Sequence, residues 1–421
     1  PVFLAGGSDD DNLFQWPQDR LTEQLDLLIA NGGNYVRNTM SDRRDKGFEV
    51  YPFRQLPDGK YDLDQWNDEY WRRFETFLDE TARRGVIVQI EVWDRFDYSR
   101  ENWAGHPCNP KNNVNYTHES SGLAAVYPDH PGANRQPFFY TVPTLRNNGI
   151  VHRHQERFVD RMLEHTLKHG HVLYCMDNET SGAEEWGRWW AEHIKRRAAE
   201  AGRRVYVTEM WDSWDLKAED HRRTFDHPEI YDFVDVSQNN HKKGQEHWDN
   251  FQWVRQRLAA HPRPVNTVKT YGADGNKFGH TDRDGLERVW RHVLGGAAAV
   301  RFHRPDSGLG LGPKAQAALK SIRMLEEKVK LWELVPGNEP LTDREPNEAF
   351  LASRPGEAYV VYFTDGGKAG LNLAGQGGQF LLQWLDLELA RMSRGESVPA
   401  GGVVQLDAPD GRAMLAILTR R

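Results

Sequence analysis

The sequence predicts an α/β fold, a (β/α)8 barrel of the TIM type, followed by a small all-β sandwich. Two observations support this. Short β-rich runs alternate with longer amphipathic runs over about the first 330 residues, and the helical period then disappears. The length of 421 residues suits one large and one small domain. We therefore predict a catalytic barrel over residues 1–332 and a β-sandwich over residues 333–421.

The alternation supplies eight strand-helix units. The predicted strands are "VFLAG" near the N terminus and the ranges 34–40, 86–94, 171–179, 204–212, 232–240, 265–272 and 297–305. The predicted helices cover 21–33, 65–84, 153–169, 184–201, 247–260, 284–294 and 313–330. TIM barrels carry their active sites at the C-terminal ends of the strands, so we expect the site there.

Two further segments complete the prediction. Residues 95–150 form a long stretch rich in Asn, Pro, His and Tyr, which we interpret as a wall of the active-site cleft. After about residue 333, short alternating runs are separated by Gly, Pro and Asp-Gly turns, which is typical of antiparallel strands.

Composition excludes several function classes. A net charge of −8 with no basic tract argues against nucleic acid as a partner, and no apolar run approaches the roughly 18 residues of a membrane span. Cys108 and Cys175 are not expected to form a disulfide. The chain starts at Pro1, and we expect a secreted or periplasmic protein whose signal has been removed. The 15 Trp and 14 Tyr residues favour carbohydrate as the partner, and the oligomeric state stays open.

Three stretches carry a family resemblance. A predicted fourth strand ending in "YCMDNET", with Asn178 and Glu179, resembles the acid/base strand of clan-A retaining glycoside hydrolases, and Arg37 in "NYVRNTM" matches the inward arginine of their early strand. The C-terminal run is similar to the collagen-binding-type β-sandwich that follows the barrel in apiosidase-type bacterial polysaccharide-degrading families. The resemblance implies hydrolysis of glycosidic bonds, with Glu179 as general acid. It also implies a nucleophilic glutamate on strand seven, where this chain has Lys269.

Strand alternation sorts the side chains, because successive residues point to opposite faces. The residues predicted to face the barrel axis are Gln89, Glu91, Trp93, Asp235, Ser237, Asn239, Thr267, Lys269, Tyr271, Ala299, Arg301 and His303. A buried ammonium on Lys269 needs a carboxylate partner, for which Glu91 and Asp235 are the candidates. These charges either hold the barrel layers together, or Lys269 and Arg301 bind an anionic substituent of the substrate.

Glycoside hydrolysis needs a proton donor and a second carboxylate. Glu209 ranks first for the second role, since it ends strand five and is followed by Trp211 as a sugar platform, although Val205 and Val207 share its face. Glu91 and Asp274 rank next. Asp177 is too close in sequence to oppose Glu179 across a sugar ring.

The sequence therefore predicts a glycoside hydrolase acting on a plant or algal polysaccharide or oligosaccharide, which Lys269 and Arg301 would suit if it is anionic. Its catalytic residues would be Glu179 and Glu209, and no metal or cofactor is expected. The expected substrate contacts are Arg37, Glu91, Trp93, Asn178, Trp211, Asn239, His241, Lys269, Tyr271, Arg301 and His303. The alternatives are a glycan-binding protein without activity, and a polysaccharide lyase that uses Lys269 as base.

Overall fold

The computed structural model describes residues 1–40 and 43–421, and it confirms the predicted barrel followed by a β domain. The strands of the barrel region are β1 (Leu4–Gly7), β2 (Tyr35–Thr39), β3 (Phe53–Gln55), β4 (Tyr61–Trp66), β5 (Ile87–Asp94), β6 (Val172–Asn178), β7 (Val207–Thr208), β8 (Val234–Asp235), β9 (Val265–Thr270) and β10 (Ala299–Phe302). The helices are α1 (Gln18–Ala30), α2 (Asp68–Arg83), α3 (Arg100–Gly105), α4 (His118–Ser121), α5 (Gly149–Thr166), α6 (Glu184–Glu200), α7 (Glu219–Phe225), α8 (Gly244–Arg257), α9 (Asp282–Gly295) and α10 (Pro313–Glu326).

Eight of these strands form one parallel sheet in the order β7-β6-β5-β2-β1-β10-β9-β8. The ring closes beside β7 and β8, where the Asp232 N–H donates to the Val207 carbonyl at 2.9 Å. Strands β3 and β4 form a separate antiparallel hairpin. No described helix is long and apolar enough to pass through a bilayer.

Contacts along the chain define two compact units. The first comprises Pro1–Asp10, Leu27–Tyr35 and Val236–Arg421, and the second comprises Asp11–Asp26 and Val36–Asp235. In the second unit, α2 begins where the Asn67 side chain accepts a hydrogen bond from the Glu69 N–H, and the helix buries Phe74 and Phe77. The long segment between β5 and α5 contains α3 and α4, and its ring of Phe138 lies 5.9 Å from that of Trp93.

In the first unit, α9 begins with a capping box formed by Thr281 and Asp284 and ends at Gly296, whose φ is +90°. Helices α8 and α9 carry the contact with the β domain. The rings of Trp290 and Tyr362 lie 6.2 Å apart, and the Arg291 guanidinium donates to the side chain of Asn347 at 2.9 Å.

The β domain consists of two antiparallel sheets that share one core. Its strands are β11 (Val335–Pro336), β12 (Leu341–Thr342), β13 (Ala349–Arg354), β14 (Ala358–Phe363), β15 (Gly367–Asn372), β16 (Gln379–Asp386), β17 (Arg391–Met392), β18 (Glu396–Pro399), β19 (Val403–Ala408) and β20 (Met414–Arg420). One sheet has the order β11-β13-β14-β20-β16-β17, with β18 paired to β16, and the other has the order β12-β15-β19. Leu351, Val361, Leu371, Phe380 and Leu406 belong to the shared core. The boundary after residue 332 stays a prediction.

Some predicted elements differ from the structure. The runs 204–212 and 232–240 contain regular strands of only two residues, β7 and β8, and Ser237–His241 forms a 3-10 turn. Strand alternation therefore does not describe Asn239. The hairpin β3–β4 and helix α7 were not predicted, because both are short and their apolar residues are few.

Candidate functional site

A buried cluster around Arg37 lies in the second unit. The Arg37 side chain donates to Glu91 Oε1 from Nε at 2.6 Å, contacts Glu91 Oε2 through Nη2, and donates to Asn178 Oδ1 at 2.9 Å. Its Nη1 lies 2.6 Å from Asp11 Oδ2. The structure thus brings together three residues predicted from sequence, Arg37, Glu91 and Asn178. Asp11 was missed, and its signal was the acidic run "SDDDN" directly after the first strand.

The charges in this cluster compensate one another. Burial lowers the pKa of Arg37, but the carboxylates of Asp11 and Glu91 outweigh it and raise that pKa well above its ordinary value. Because Asn178 Oδ1 accepts from Arg37, its amide nitrogen points away from that arginine. Arg37 therefore fixes both an anion and the orientation of an amide donor.

Glu179 follows Asn178 at the end of β6, and its side chain is half-buried. Its φ is +49°, in the left-handed region that a non-glycine residue occupies at a cost of about 1 kcal/mol. The next residue is held from both sides by the segment after β7, since the Thr180 N–H donates to Met210 O at 2.8 Å and the Asp212 N–H donates to Thr180 O at 2.9 Å. The surrounding hydrogen bonds hold this backbone conformation in place.

Arg95 connects the long segment to this turn. Its guanidinium donates to Thr180 Oγ1 at 2.9 Å and to Asn134 Oδ1 at 2.8 Å, and it lies 4.3 Å from the centre of the Phe139 ring. A Cβ on Gly182 would lie 1.9 Å from Arg95 Nη2, so this approach requires glycine. The segment predicted as a cleft wall is thus anchored beside Glu179.

Glu209 and Asp177 lie together behind β6. Glu209 is 1 % exposed, and its Oε1 accepts from the Asp177 N–H at 2.8 Å and from the Met210 N–H at 3.0 Å. Burial, and then the charge of Asp177, raises the pKa of Glu209 well above its usual range. Burial raises the pKa of Asp177 to about 7 despite the positive charge of Arg95. The structure therefore places Glu209 outside the group that Arg37 brings together, and a catalytic role for it stays a prediction.

The two predicted tryptophan contacts are in the core, which corrects their assignment to the cleft. The Trp93 ring packs against Trp190 of α6 at 5.1 Å, on the helix side of β5. The Trp211 ring is buried, and its Nε1 donates to Thr224 Oγ1 at 2.8 Å. Trp214, three residues after Trp211, is 59 % exposed and is the aromatic side chain that this loop presents to solvent.

In the first unit, aromatic and imidazole rings gather after β9 and β10. The rings of Tyr271 and Phe278 stack at 5.0 Å with an interplanar angle of 6°. His241 lies edge-on to both, and the His303 ring is 5.0 Å from that of Tyr271. The sequence predicted three of these four residues as substrate contacts. It missed Phe278, which lies beyond the strand in a glycine-flanked loop.

The remaining predicted residues of this unit are engaged in the fold. Lys269 is buried in β9, and its contribution to substrate binding stays a prediction. Buried Arg301 donates to Val268 O at 2.8 Å, to Ser8 Oγ at 2.5 Å and to Asp10 O at 3.2 Å, which favours the interpretation that it holds barrel layers together. Asn239 donates to His247 O at 3.0 Å, on the side of α8.

Asp274 is exposed and caps the start of α9. Its Oδ1 accepts from the Asp282 N–H at 3.0 Å, and its own N–H donates to Asp282 Oδ1 at 2.8 Å. This reciprocal pair accounts for the position of Asp274 without a substrate. It does not favour Asp274 as the second carboxylate.

Comparison with known proteins supports the fold. The chain is similar to a glycoside hydrolase family 5 protein from Bacteroides vulgatus ATCC 8482, with 12 % identity, a TM-score of 0.65 and coverage of 100 % of this chain and 90 % of the other. A second structure, described as a glycoside hydrolase, has 12 % identity, a TM-score of 0.64 and coverage of 100 % and 93 %.

A third similar structure is the noncanonic maltogenic α-amylase AmyB from Thermotoga neapolitana, with 9 % identity, a TM-score of 0.54 and coverage of 99 % and 98 %. No protein-family model and no curated protein matches the chain. At these identities the likeness establishes the fold, and the residues of the site have to support the function. The apiosidase-type resemblance stays a prediction.

Proposed function

We propose that this protein hydrolyses glycosidic bonds and that Glu179 is the general acid. The observation that carries the proposal is the buried link from Arg37 to Asn178, directly before Glu179, at the C-terminal end of β6. TIM barrels place their reactive groups at such strand ends. The strained backbone of Glu179 adds support, because strain of this kind concentrates at functional sites.

Each residue of this group has a role in the proposal. Glu179 protonates the oxygen of the leaving sugar, and the amide nitrogen of Asn178 donates to a substrate hydroxyl beside the scissile bond. The second carboxylate belongs to the pair held by Arg37, Asp11 or Glu91. An arginine partner favours the ionised form, which either attacks the anomeric carbon or accepts a proton from water.

The test uses a panel of neutral and uronate-containing polysaccharides, together with aryl glycosides that carry good leaving groups. We expect new reducing ends from the native protein and a loss of about 10²- to 10⁴-fold in the Glu179→Gln variant on natural substrates. Glu179→Gln should retain more activity on aryl glycosides whose leaving group needs no proton. Equal activity of both proteins on every substrate would refute the role of Glu179.

The second carboxylate is assigned by rescue. Asp11→Gly and Glu91→Gly are each assayed with and without azide, a small anion that can enter the vacated space. The reacting carboxylate is the one whose variant regains turnover with azide. A matched control is Glu69→Gly in the first turn of α2, a partly exposed acid paired with Arg72 and Arg73, which we expect to change neither turnover nor its azide dependence.

The same panel separates the alternatives that the sequence left open. A lyase that uses Lys269 would release products with the ultraviolet absorbance of an unsaturated uronate, and Lys269→Met would abolish that signal. A glycan-binding protein without activity would bind a polysaccharide equally well before and after Glu179→Gln and release no reducing ends. We expect neither outcome.

A further inference from the structure

A pair of buried acids lies between β6, β7 and α6 in the second unit. One oxygen of Glu209 is occupied by two backbone N–H groups, those of Asp177 and Met210. The other oxygen faces α6 so closely that a Cβ on Gly187 would lie 2.1 Å from it. Asp177 is 0 % exposed. Glycine at position 187 thus lets the helix cover the pair and exclude water from it.

The charges around this pair do not permit two carboxylates. Arg95 is the cation that faces it, with Nε 3.9 Å from Asp177 Oδ1. Two anions opposite one cation in a dry site are unfavourable, so one acid keeps its proton. The titratable groups that face the pair from the neighbouring elements are Arg95, Asp94, Cys175 and Tyr231.

The hydrogen bonds indicate which acid stays neutral. Two backbone donors already serve Glu209 Oε1, while Oε2 and both oxygens of Asp177 make no further well-formed hydrogen bond to the described residues. A proton on Glu209 Oε2 supplies a donor for the Asp177 carboxylate, which then balances the charge of Arg95. A proton on Asp177 would leave Glu209 as the anion, farther from the cation.

The pair also lies at the base of the turn that carries Glu179. Asp177 is two residues before Glu179, and its own N–H is the group that Glu209 holds. Thr180, the residue after Glu179, is bound by Arg95, the cation that faces the pair. The pair, Arg95 and the backbone after β7 therefore fix both sides of the strained residue.

We propose that Glu209 is a neutral carboxylic acid that shares its proton with Asp177, and that this pair positions the turn bearing Glu179. Glu209 is then a positioning residue and not the second reacting carboxylate. The consequence for catalysis rests on the proposed function of Glu179. The protonation of the pair does not.

The activity test compares Glu209→Gln with Glu209→Leu. Glutamine keeps an oxygen for the two backbone donors and an N–H for Asp177, whereas leucine supplies neither. We expect kcat to fall by less than about tenfold in Glu209→Gln and by at least about 100-fold in Glu209→Leu, with KM changing by less than about threefold in both. A loss of about 10³-fold or more in Glu209→Gln that azide restores would overturn the proposal, because it would make Glu209 the reacting carboxylate.

The second test needs no activity. Infrared difference spectra of the native protein against Glu209→Gln at about pH 8, above the pKa of Asp177, should contain the carbonyl stretch of one protonated carboxylic acid. The matched control is Glu184→Gln in the first turn of α6, a partly exposed acid paired with Arg188, whose spectrum should lack this band. Absence of the band from the Glu209→Gln difference overturns the proposal. If Glu179→Gln proves fully active, the proposed function fails while the band still decides the state of the pair.

Discussion

Replacing Asp177 by asparagine should make the stability of the protein less dependent on pH. The pKa of Asp177 rises from 3.8 in the unfolded chain to about 7 in the folded protein, mainly through burial. Between these values the folded protein holds a proton that the unfolded chain has lost. The free energy of unfolding therefore falls as the pH rises from about 4 to about 7, and the low-pH stability is lost through this interval.

The size of the effect follows from the two pKa values. A change from 3.8 to about 7 corresponds to about 4 kcal/mol, of which the native protein should lose most between about pH 4.5 and pH 8. The asparagine amide cannot ionise, so the variant lacks this loss. Removing the partner of Arg95 also destabilises the variant, but Arg95 stays charged across the range, and this part is constant with pH.

Urea unfolding followed by tryptophan fluorescence between about pH 4.5 and pH 8.5 measures the difference. The sign control is Asp160→Asn. Burial opposes the ionisation of Asp160, but its partners His193 and Arg197 outweigh it and lower its pKa. That variant should lose stability at neutral pH, and the difference should narrow as the pH falls. Parallel curves for the native protein and Asp177→Asn would refute our account of the buried pair.

Four further predictions concern other parts of the fold and site. Arg37→Met leaves two buried carboxylates without their cation and should destabilise the protein by about 3 to 5 kcal/mol, measured by urea unfolding. Gly187→Ala should cost about 1 to 3 kcal/mol in the same assay, because its methyl group would lie 2.1 Å from a carboxylate oxygen. Trp290→Ala, at the contact of α9 with the β domain, should cost about 3 to 5 kcal/mol and lower the melting temperature. Burial and nearby arginines lower the pKa of His292 from 6.5 to about 3, so its contribution is complete above pH 6.5 and is lost as the pH falls towards 3; His292→Gln should flatten that acid limb of the unfolding curve.

The order of elements was accessible from the sequence because local patterns encode it. Helices α5, α6 and α9 begin and end within a few residues of the predicted ranges, and their caps, such as Thr281 with Asp284, are contacts between near neighbours in the chain. Strands β7 and β8 were overestimated. Their apolar residues continue past the last ladder hydrogen bond, and composition does not show where pairing stops.

The site was predictable in part. Arg37 and Asn178 were found through the family resemblance, and the structure joins them. Alternation failed for Trp93, whose ring turns towards α6, and the left-handed backbone at Glu179 ends the alternation of β6. Asp11 was missed because a loop residue has no periodicity from which its direction can be derived.

By itself the sequence determined the succession of strands and helices, the β domain at the C-terminal end and the Asn-Glu pair at the end of a buried strand. These depend on hydrophobic periodicity and on turn residues, which are local properties. Only the tertiary structure decided which acids share a cation. Arg37 meets Glu91 across 54 residues and Asn178 across 141, and Glu209 meets the backbone of Asp177 across 32. Whether a carboxylate is ionised depends on such distant neighbours and on burial, and neither is encoded in local spacing.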